Sequence, residues 1–255
     1  MRPSVSLGVM FRREQGPERL ISYARRVEAA GFDELWVVED CFFTGGVAQA
    51  ATALAATERI TVGLGIVPAV ARNAAFLAME FATLARMHGN RFHGGIGHGV
   101  WSWMDQIGAR PASWLTALEE TTDAVRSLLA GNTVSVSGRY VRLHDVRLEH
   151  VPAPAPPVSL GVRNVKSLLL SGRCADGTIL AELSSPAYVA WARAKIDEGR
   201  HAAGPTAFTQ PHRVTVYANC AVSATDPAEV RAIFRRVAAE WLGGGELSVQ
   251  TAPLP

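Results

Sequence analysis

Between Ile60 and Val100 the chain reads ITVGLGIVPAVARNAAFLAMEFATLARMHGNRFHGGIGHGV, and this stretch limits what the whole can become. Ile60 to Val67 is apolar on both faces, as a strand must be when a parallel sheet is covered on both sides. Asn73 is placed to cap the helix that follows, Leu77, Phe81 and Leu84 recur at helical spacing, and Gly89 stands where a left-handed terminal residue belongs. A second apolar strand then ends in HGGIGHG, with Gly95, Gly97 and Gly99 alternating around His98. The stretch is a βαβ unit. Gly63 and Gly65 interrupt its first strand, which marks a bulge or a place where something packs on the backbone. The alternating glycines leave room above the second strand for a flat ligand.

The same phase runs through the rest of the chain. Val5 to Phe11 and Glu34 to Asp40 read as strands, the first followed by a helix that Pro17 opens and Gly31 stops, the second by a small-residue helix from about Val47 to Thr57. Ser113 or Thr116 can cap a helix carrying Leu118, Val125 and Leu129, and Thr116 with Glu119 has the spacing of a capping box. Pro157 to Val162, Gly177 to Glu182 and His212 to Val222 are further strands, with helices opening near Asn164, at Ser185-Pro186 and at Asp226-Pro227. Alternation in residues 133–150 suits an exposed hairpin inserted between two units. Seven βα units result, in a single domain over residues 1–255. After the last helix only an irregular tail, GGGELSVQTAPLP (243–255), remains, so the closing unit of a full barrel is not evident.

Composition narrows the function. The 255 residues are 48% hydrophobic with a net charge of +2 and no Lys/Arg block, which argues against nucleic acid and membrane surfaces as partners. No apolar run approaches the ~20 residues of a membrane span, and the amino terminus lacks the sections of a signal peptide, so a cytoplasmic location is expected. Cys41, Cys174 and Cys220 are far apart, which indicates neither a disulfide framework nor a metal site.

Strict strand and helix alternation implies a parallel sheet that is either open and doubly wound or closed as a (β/α)8 barrel. Neither glycine cluster completes the G-x-G-x-x-G spacing of a dinucleotide site. Polar or glycine-rich residues instead end several strands, at Asp40, Val67, His98, Gly161 and Glu182, as in a barrel whose site is assembled from many strand ends. A TIM-type barrel short of its final βα unit is therefore expected.

The WVVEDCFF strand end, VGLGIVPAVARNAAFLAMEFATLARMHGNRF, the GIGHG strand end, WMDQIGARPASWLTALEETTDAVRSLLAG and GVRNVKSLLLSGRCADGTILAE together resemble the bacterial luciferase-like monooxygenase superfamily. More narrowly, the chain resembles its coenzyme F420-dependent branch, which includes methylenetetrahydromethanopterin-reductase-like proteins. The resemblance implies a bacterial-luciferase-type barrel that holds a deazaflavin or flavin at the carboxyl ends of its strands. Gly65-Ile66 matches the branch's bulge with a non-prolyl cis peptide behind the ring, and Val67 completes that strand end. Gly161, Val162, Arg163 and Asn164 match its phosphate-binding segment, where a helix start faces an anion. Gly97 and Gly99 would flank the ring, and Asp40 would bond the ring or its ribityl chain. Many relatives follow that acid with a histidine, and here Cys41 stands in its place. His98 becomes a candidate for moving protons, since imidazole titrates near neutral pH, and Glu182 reaches the same rim.

Phe42, Phe43, Trp101 and Trp103 could wall an apolar substrate pocket. What the resemblance implies is hydride transfer between F420 and a small organic substrate; an FMN-dependent monooxygenase and a non-catalytic flavin-binding protein are the alternatives. An unpaired sheet edge invites a partner chain, so a homodimer is expected.

Overall fold

The computed structural model describes residues 5–204, 208, 210–223 and 226–243. Its strands are β1 (Gly8–Met10), β2 (Glu34–Val37), β3 (Thr61–Pro68), β4 (Phe92–Gly97), β5 (Val134–Ser137), β6 (Arg142–Val146), β7 (Val158–Gly161), β8 (Gly177–Leu180) and β9 (Arg213–Val216). Strands β5 and β6 pair with each other, antiparallel. The other seven form one sheet in the order β1-β2-β3-β4-β7-β8-β9, every neighbour parallel. The tail, residues 244–255, lies outside the described residues.

Helices occupy the connections: α1 (Leu20–Ala29) after a single 3-10 turn at Pro17–Arg19, α2 (Gly46–Ala55), α3 (Ala74–Met87), α4 (Trp101–Gln106), α5 (Trp114–Leu129), α6 (Val165–Cys174), α7 (Pro186–Ala203) and α8 (Pro227–Gly243). Asn73 caps α3 by accepting from Ala75 N at 2.9 Å, and Ser185 caps α7 by accepting from Tyr188 N at 3.1 Å. At α5 the cap is Ser113, whose hydroxyl accepts from Thr116 N; the Thr116 and Glu119 box does not form, because Glu119 turns outward to pair with Arg173 of α6.

Helices and sheet share one core. Leu35, Val37, Val62, Leu64, Phe92 and Leu160 of the strands are buried against Leu54, Leu77, Phe81, Leu118, Val125 and Leu168 of the helices. The inside of the sheet has different contents. Trp36 of β2 lies outside that core and stacks obliquely on His93 of β4 at 5.3 Å, while Tyr217, just past β9, meets its edge at 5.8 Å. A Cβ on Gly63 would stand 2.4 Å from the Trp36 ring, so the first interruption of β3 makes room for this indole.

The sheet is rolled, and one ion pair proves it. In a flat sheet the five spacings from β2 to β9 would put them about 24 Å apart. Yet Arg213 Nη2 donates to Glu34 Oε1 across the interior, and Glu34 Oε2 accepts from Trp36 Nε1 at 2.8 Å. The sheet is thus a curled parallel half-barrel of the TIM type. Several strands are shorter than their patterns suggest: β1 keeps Gly8–Met10 of Val5 to Phe11, β2 ends at Val37, β8 at Leu180 and β9 at Val216. Val38 to Asp40 leave the sheet as β1 ends at Met10, and residues 218–222 leave it as β8 ends at Leu180, whose carbonyl makes the last ladder bond to Tyr217 N; a strand lasts only as long as its ladder partners.

The β5-β6 pair is fastened to α5. The Glu120 carboxylate accepts the backbone N–H groups of Arg139, Tyr140 and Val141 at 2.7 to 2.9 Å, and the Tyr140 hydroxyl accepts from Ser113 N at 2.6 Å. Among the described residues no helix is long and apolar enough to cross a membrane, and no cluster of His, Cys, Asp and Glu is arranged to hold a metal.

Candidate active site

The carboxyl ends of the strands gather most of the residues singled out in the sequence. Strand β3 bulges between Leu64 and Val67, and the Gly65–Ile66 peptide there is cis. The bulge sends the Ile66 side chain sideways. A Cβ on Gly97 would lie 2.8 Å from Ile66 Cδ1, and one on Gly161 would lie 2.6 Å from Ile66 Cγ2. These glycines therefore make room for Ile66 first, and the room foreseen over β4 is partly filled by it. Gly99, at φ 77°, turns the chain out of β4.

Two acids end β2 and find different cations. Glu39 takes both terminal nitrogens of Arg72, from the β3–α3 loop, and its Oε2 accepts from Gly46 N at the start of α2 at 2.8 Å. Its work is structural. Asp40 instead pairs with Arg13 at 3.0 Å, and burial raises its pKa while Arg13 opposes the rise. Arg13 lies over the rings of Phe43 at 5.2 Å and Trp103 at 5.9 Å. Two of the four aromatics read as a pocket wall thus enclose a guanidinium. Phe42 is 66% exposed, and Trp101 stacks on Trp114 at 5.6 Å.

Cys41 follows at the mouth, with a cis peptide to Phe42. Burial, then the charges of Glu39 and Asp40, raise its thiol pKa, so it stays protonated at neutral pH. His98, just past β4, is set between α5 and α6: its Nε2 lies 3.2 Å from Ser167 Oγ and its ring meets Trp114 edge-on at 6.3 Å. Its Nδ1 is buried and, among the described residues, has no partner in hydrogen-bonding geometry. Burial lowers its pKa, with the Trp114 backbone nearby opposing part of that, so the ring is neutral at pH 7.

Gly161 ends β7, and residues 162–164 lead into α6. Asn164 flanks that helix without a side-chain cap bond, so the first-turn N–H groups of α6 are not spent on it. The Arg163 carbonyl accepts from the Tyr188 hydroxyl at 2.7 Å, which pins the segment to α7. Glu182 lies two residues past β8, close enough to Tyr217 for its charge to be felt there. The structure joins His98 to Ser167 and Asp40 to Arg13; it does not join His98 to Asp40. Arg13, Arg72, Ser167, Trp114 and Tyr217 were not foreseen. The first four contact the mouth only through partners far off in the chain, whereas Tyr217 had a local signal, the alternation in RVTVYANC.

The fold is a rolled parallel half-barrel with a bulged third strand, and the sequence profile of the luciferase-like monooxygenase family matches residues 5–251. The chain belongs to that family. Among its relatives, it is 28% identical over 177 residues to 5,10-methylenetetrahydromethanopterin reductase of Methanolobus tindarius, covering 69% of this chain and 54% of the relative. It is also 28% identical over 180 residues to F420-dependent glucose-6-phosphate dehydrogenase of Amycolatopsis mediterranei, covering 64% and 53%. The chain thus spans about half the length of these curated relatives. Its fold superimposes on the coenzyme F420-dependent tetrahydromethanopterin reductase of Methanopyrus kandleri with a TM-score of 0.79 at 22% identity, over 94% of this chain and 72% of that one.

Proposed function

We propose that this chain is a coenzyme F420-dependent oxidoreductase that exchanges a hydride with a small organic substrate. The observation that carries this reading is the β3 bulge: Ile66 is turned into the hollow of Gly97 and Gly161, and the missing side chain of Gly65 leaves room for the Tyr217 hydroxyl. A flat ring would rest on this bulge with that hydroxyl at its edge. The names of the relatives support F420 as the ring's source. The donor set fits as well, since four buried polar atoms at or beyond the ends of β4 and β9, His98 Nδ1, Thr215 Oγ1, Tyr217 OH and Asn219 Nδ2, lack partners among the described residues.

When bound, the deazaflavin supplies the hydride chemistry, and the chain supplies position and field. Gly65, Ile66 and Val67 support the ring from behind, flanked by Gly97 and Gly99. Asp40, steadied by Arg13, bonds the ring or its ribityl chain. Gly161, Val162, Arg163 and Asn164 receive the phosphate at the start of α6, where unspent N–H groups and the helix dipole favour an anion. His98, neutral and with Nδ1 unspent, is the group best placed to take or give a proton. Cys41 remains a thiol and serves as a weak donor, and Glu182 orients the substrate from the same rim.

Titrating the pure protein with oxidised F420, and separately with FMN, tests the reading. F420 should bind and FMN should not; FMN binding alone would replace hydride transfer by flavin-dependent oxygenation. We also infer a homodimer. On α3 the side chains of Phe76, Met79 and Met87 are 64%, 51% and 69% exposed on one helical face, an apolar stripe that a second copy could cover.

A further inference from the structure

The last strand has polar side chains at every second position. Arg213, Thr215, Tyr217 and Asn219 alternate with Val214, Val216, Ala218 and Cys220; a period of two puts Arg213, Thr215 and Tyr217 on one face, and Asn219 follows in the same phase just past the strand. The ladder runs past the end of β9, because Tyr217 N still donates to Leu180 O at 2.9 Å. Two contacts identify that face as the inside of the curl: Arg213 pairs with Glu34, and the Tyr217 ring lies 5.8 Å from that of Trp36. Val214, on the other face, packs on the core beneath the helices.

Arg213 has its partner in Glu34. Thr215 Oγ1, Tyr217 OH and Asn219 Nδ2 are shut from solvent, and among the described residues none of these atoms has a hydrogen-bond partner. Unmet buried donors are costly and uncommon, so three in succession in one phase point to partners supplied from outside. The place is also defined. A Cβ on Gly65 would stand 2.0 Å from the Tyr217 hydroxyl, so this side chain reaches from β9 across the curl to the bulge of β3. Burial and the carboxylates of Glu182, Glu34 and Asp40 keep that hydroxyl protonated, and the same negative field repels an anionic partner. A neutral acceptor is what remains.

We propose that Thr215, Tyr217 and Asn219 form a donor ladder that receives the uncharged carbonyl edge of a heterocyclic ring, the pyrimidinedione of a deazaflavin, seated on the Gly65–Ile66 bulge. This rests on the cofactor reading above and adds to it the wall that recognises the ring's edge.

Thr215→Val, Tyr217→Phe and Asn219→Leu remove the polar atoms with little change of shape. Each variant and the triple variant are melted without ligand and titrated with oxidised F420 and with FMN. The ligand-free melting temperature should hold or rise, because an unmet group has been removed. The F420 dissociation constant should rise about five- to tenfold for Tyr217→Phe and about a hundredfold for the triple variant. Wild-type F420 affinity in all variants would overturn the ladder alone, as would a lower melting temperature for Tyr217→Phe with unchanged affinity. If the wild type binds neither cofactor, both the cofactor reading and the ladder fall. If it binds FMN alone and the variants lose that affinity, the ladder stands on a flavin, which presents the same edge.

Discussion

Ile66 fills the space that Gly161 leaves: a Cβ on Gly161 would stand 2.6 Å from Ile66 Cγ2, with the nearest approach at the branched carbon and not at the flexible end. β-Branched side chains have little rotamer freedom, so Ile66 has no easy way to yield. Gly161→Ala should therefore destabilise the fold by about 1 to 3 kcal/mol, the usual cost of overpacking. Adding Ile66→Ala to that variant should recover part of the loss. Urea unfolding of the two single variants and the double measures the coupling, and strict additivity would show that the two residues do not compete for space.

His93 sets an acid limit on stability. It is 1% exposed, with Nε2 2.7 Å from Ser159 Oγ, and burial first and the Arg213 charge second bring its pKa down to about 3. The unfolded chain, titrating near 6.5, takes up the proton first, so the stabilisation is full above pH 6.5 and drains away as pH falls toward 3. At pH 5 the loss from this residue should be about 2 kcal/mol. His212, brought to about 4 by burial and by Arg200, acts in the same direction. Urea unfolding at pH 7 and pH 5 should give a shallower pH slope for His93→Asn than for the wild type. An unchanged slope would place the acid sensitivity elsewhere.

Arg163 belongs to the proposed phosphate end of the site. A charge-assisted contact to phosphate contributes about 1.5 to 3 kcal/mol, so Arg163→Ala should weaken F420 binding about tenfold or more. Raising the salt concentration should weaken wild-type binding and affect the variant less. Equal affinities at both salt levels would remove Arg163 from the site.

The stripe of Phe76, Met79 and Met87 gives the oligomer a direct test. Met79→Glu puts a charge in the centre of the inferred interface, and a buried unpaired charge is strongly unfavourable. Light scattering should then report a monomer where the wild type is a dimer, with unchanged helical content by circular dichroism. A monomeric wild type would refute the inference outright.

The strand order was legible because each βα unit carries its own signals: an apolar run, a cap such as Asn73, a stop such as Gly89. The glycines of β3 and β4 were legible as special but not as to purpose. Gly63 answers to Trp36 on the neighbouring strand, and Gly97 and Gly161 answer to Ile66, one and two strands away, relations that exist only once the sheet is assembled. Strand β9 is the reverse case. Its polar alternation lay in plain view, yet polar residues on an inner face mean something only when the sheet is known to roll, and the Glu34 and Arg213 pair that shows the roll spans 179 positions. Arg13 and Arg72 were hidden for the same reason: a loop arginine has no local pattern, and its carboxylate partner lies 27 or 33 residues away.

The hairpin of β5 and β6 stands apart from the seven-stranded sheet, but it is not isolated from the mouth. Glu120 clasps its turn, Tyr140 holds the amide of Ser113, and the very next residue, Trp114, sets its ring against His98. The hairpin acts as an outrigger braced against the rim. A change in its length or sequence would be passed through Tyr140, Ser113 and Trp114 to the ring of His98, so the shape of the mouth depends on a segment outside the barrel sheet.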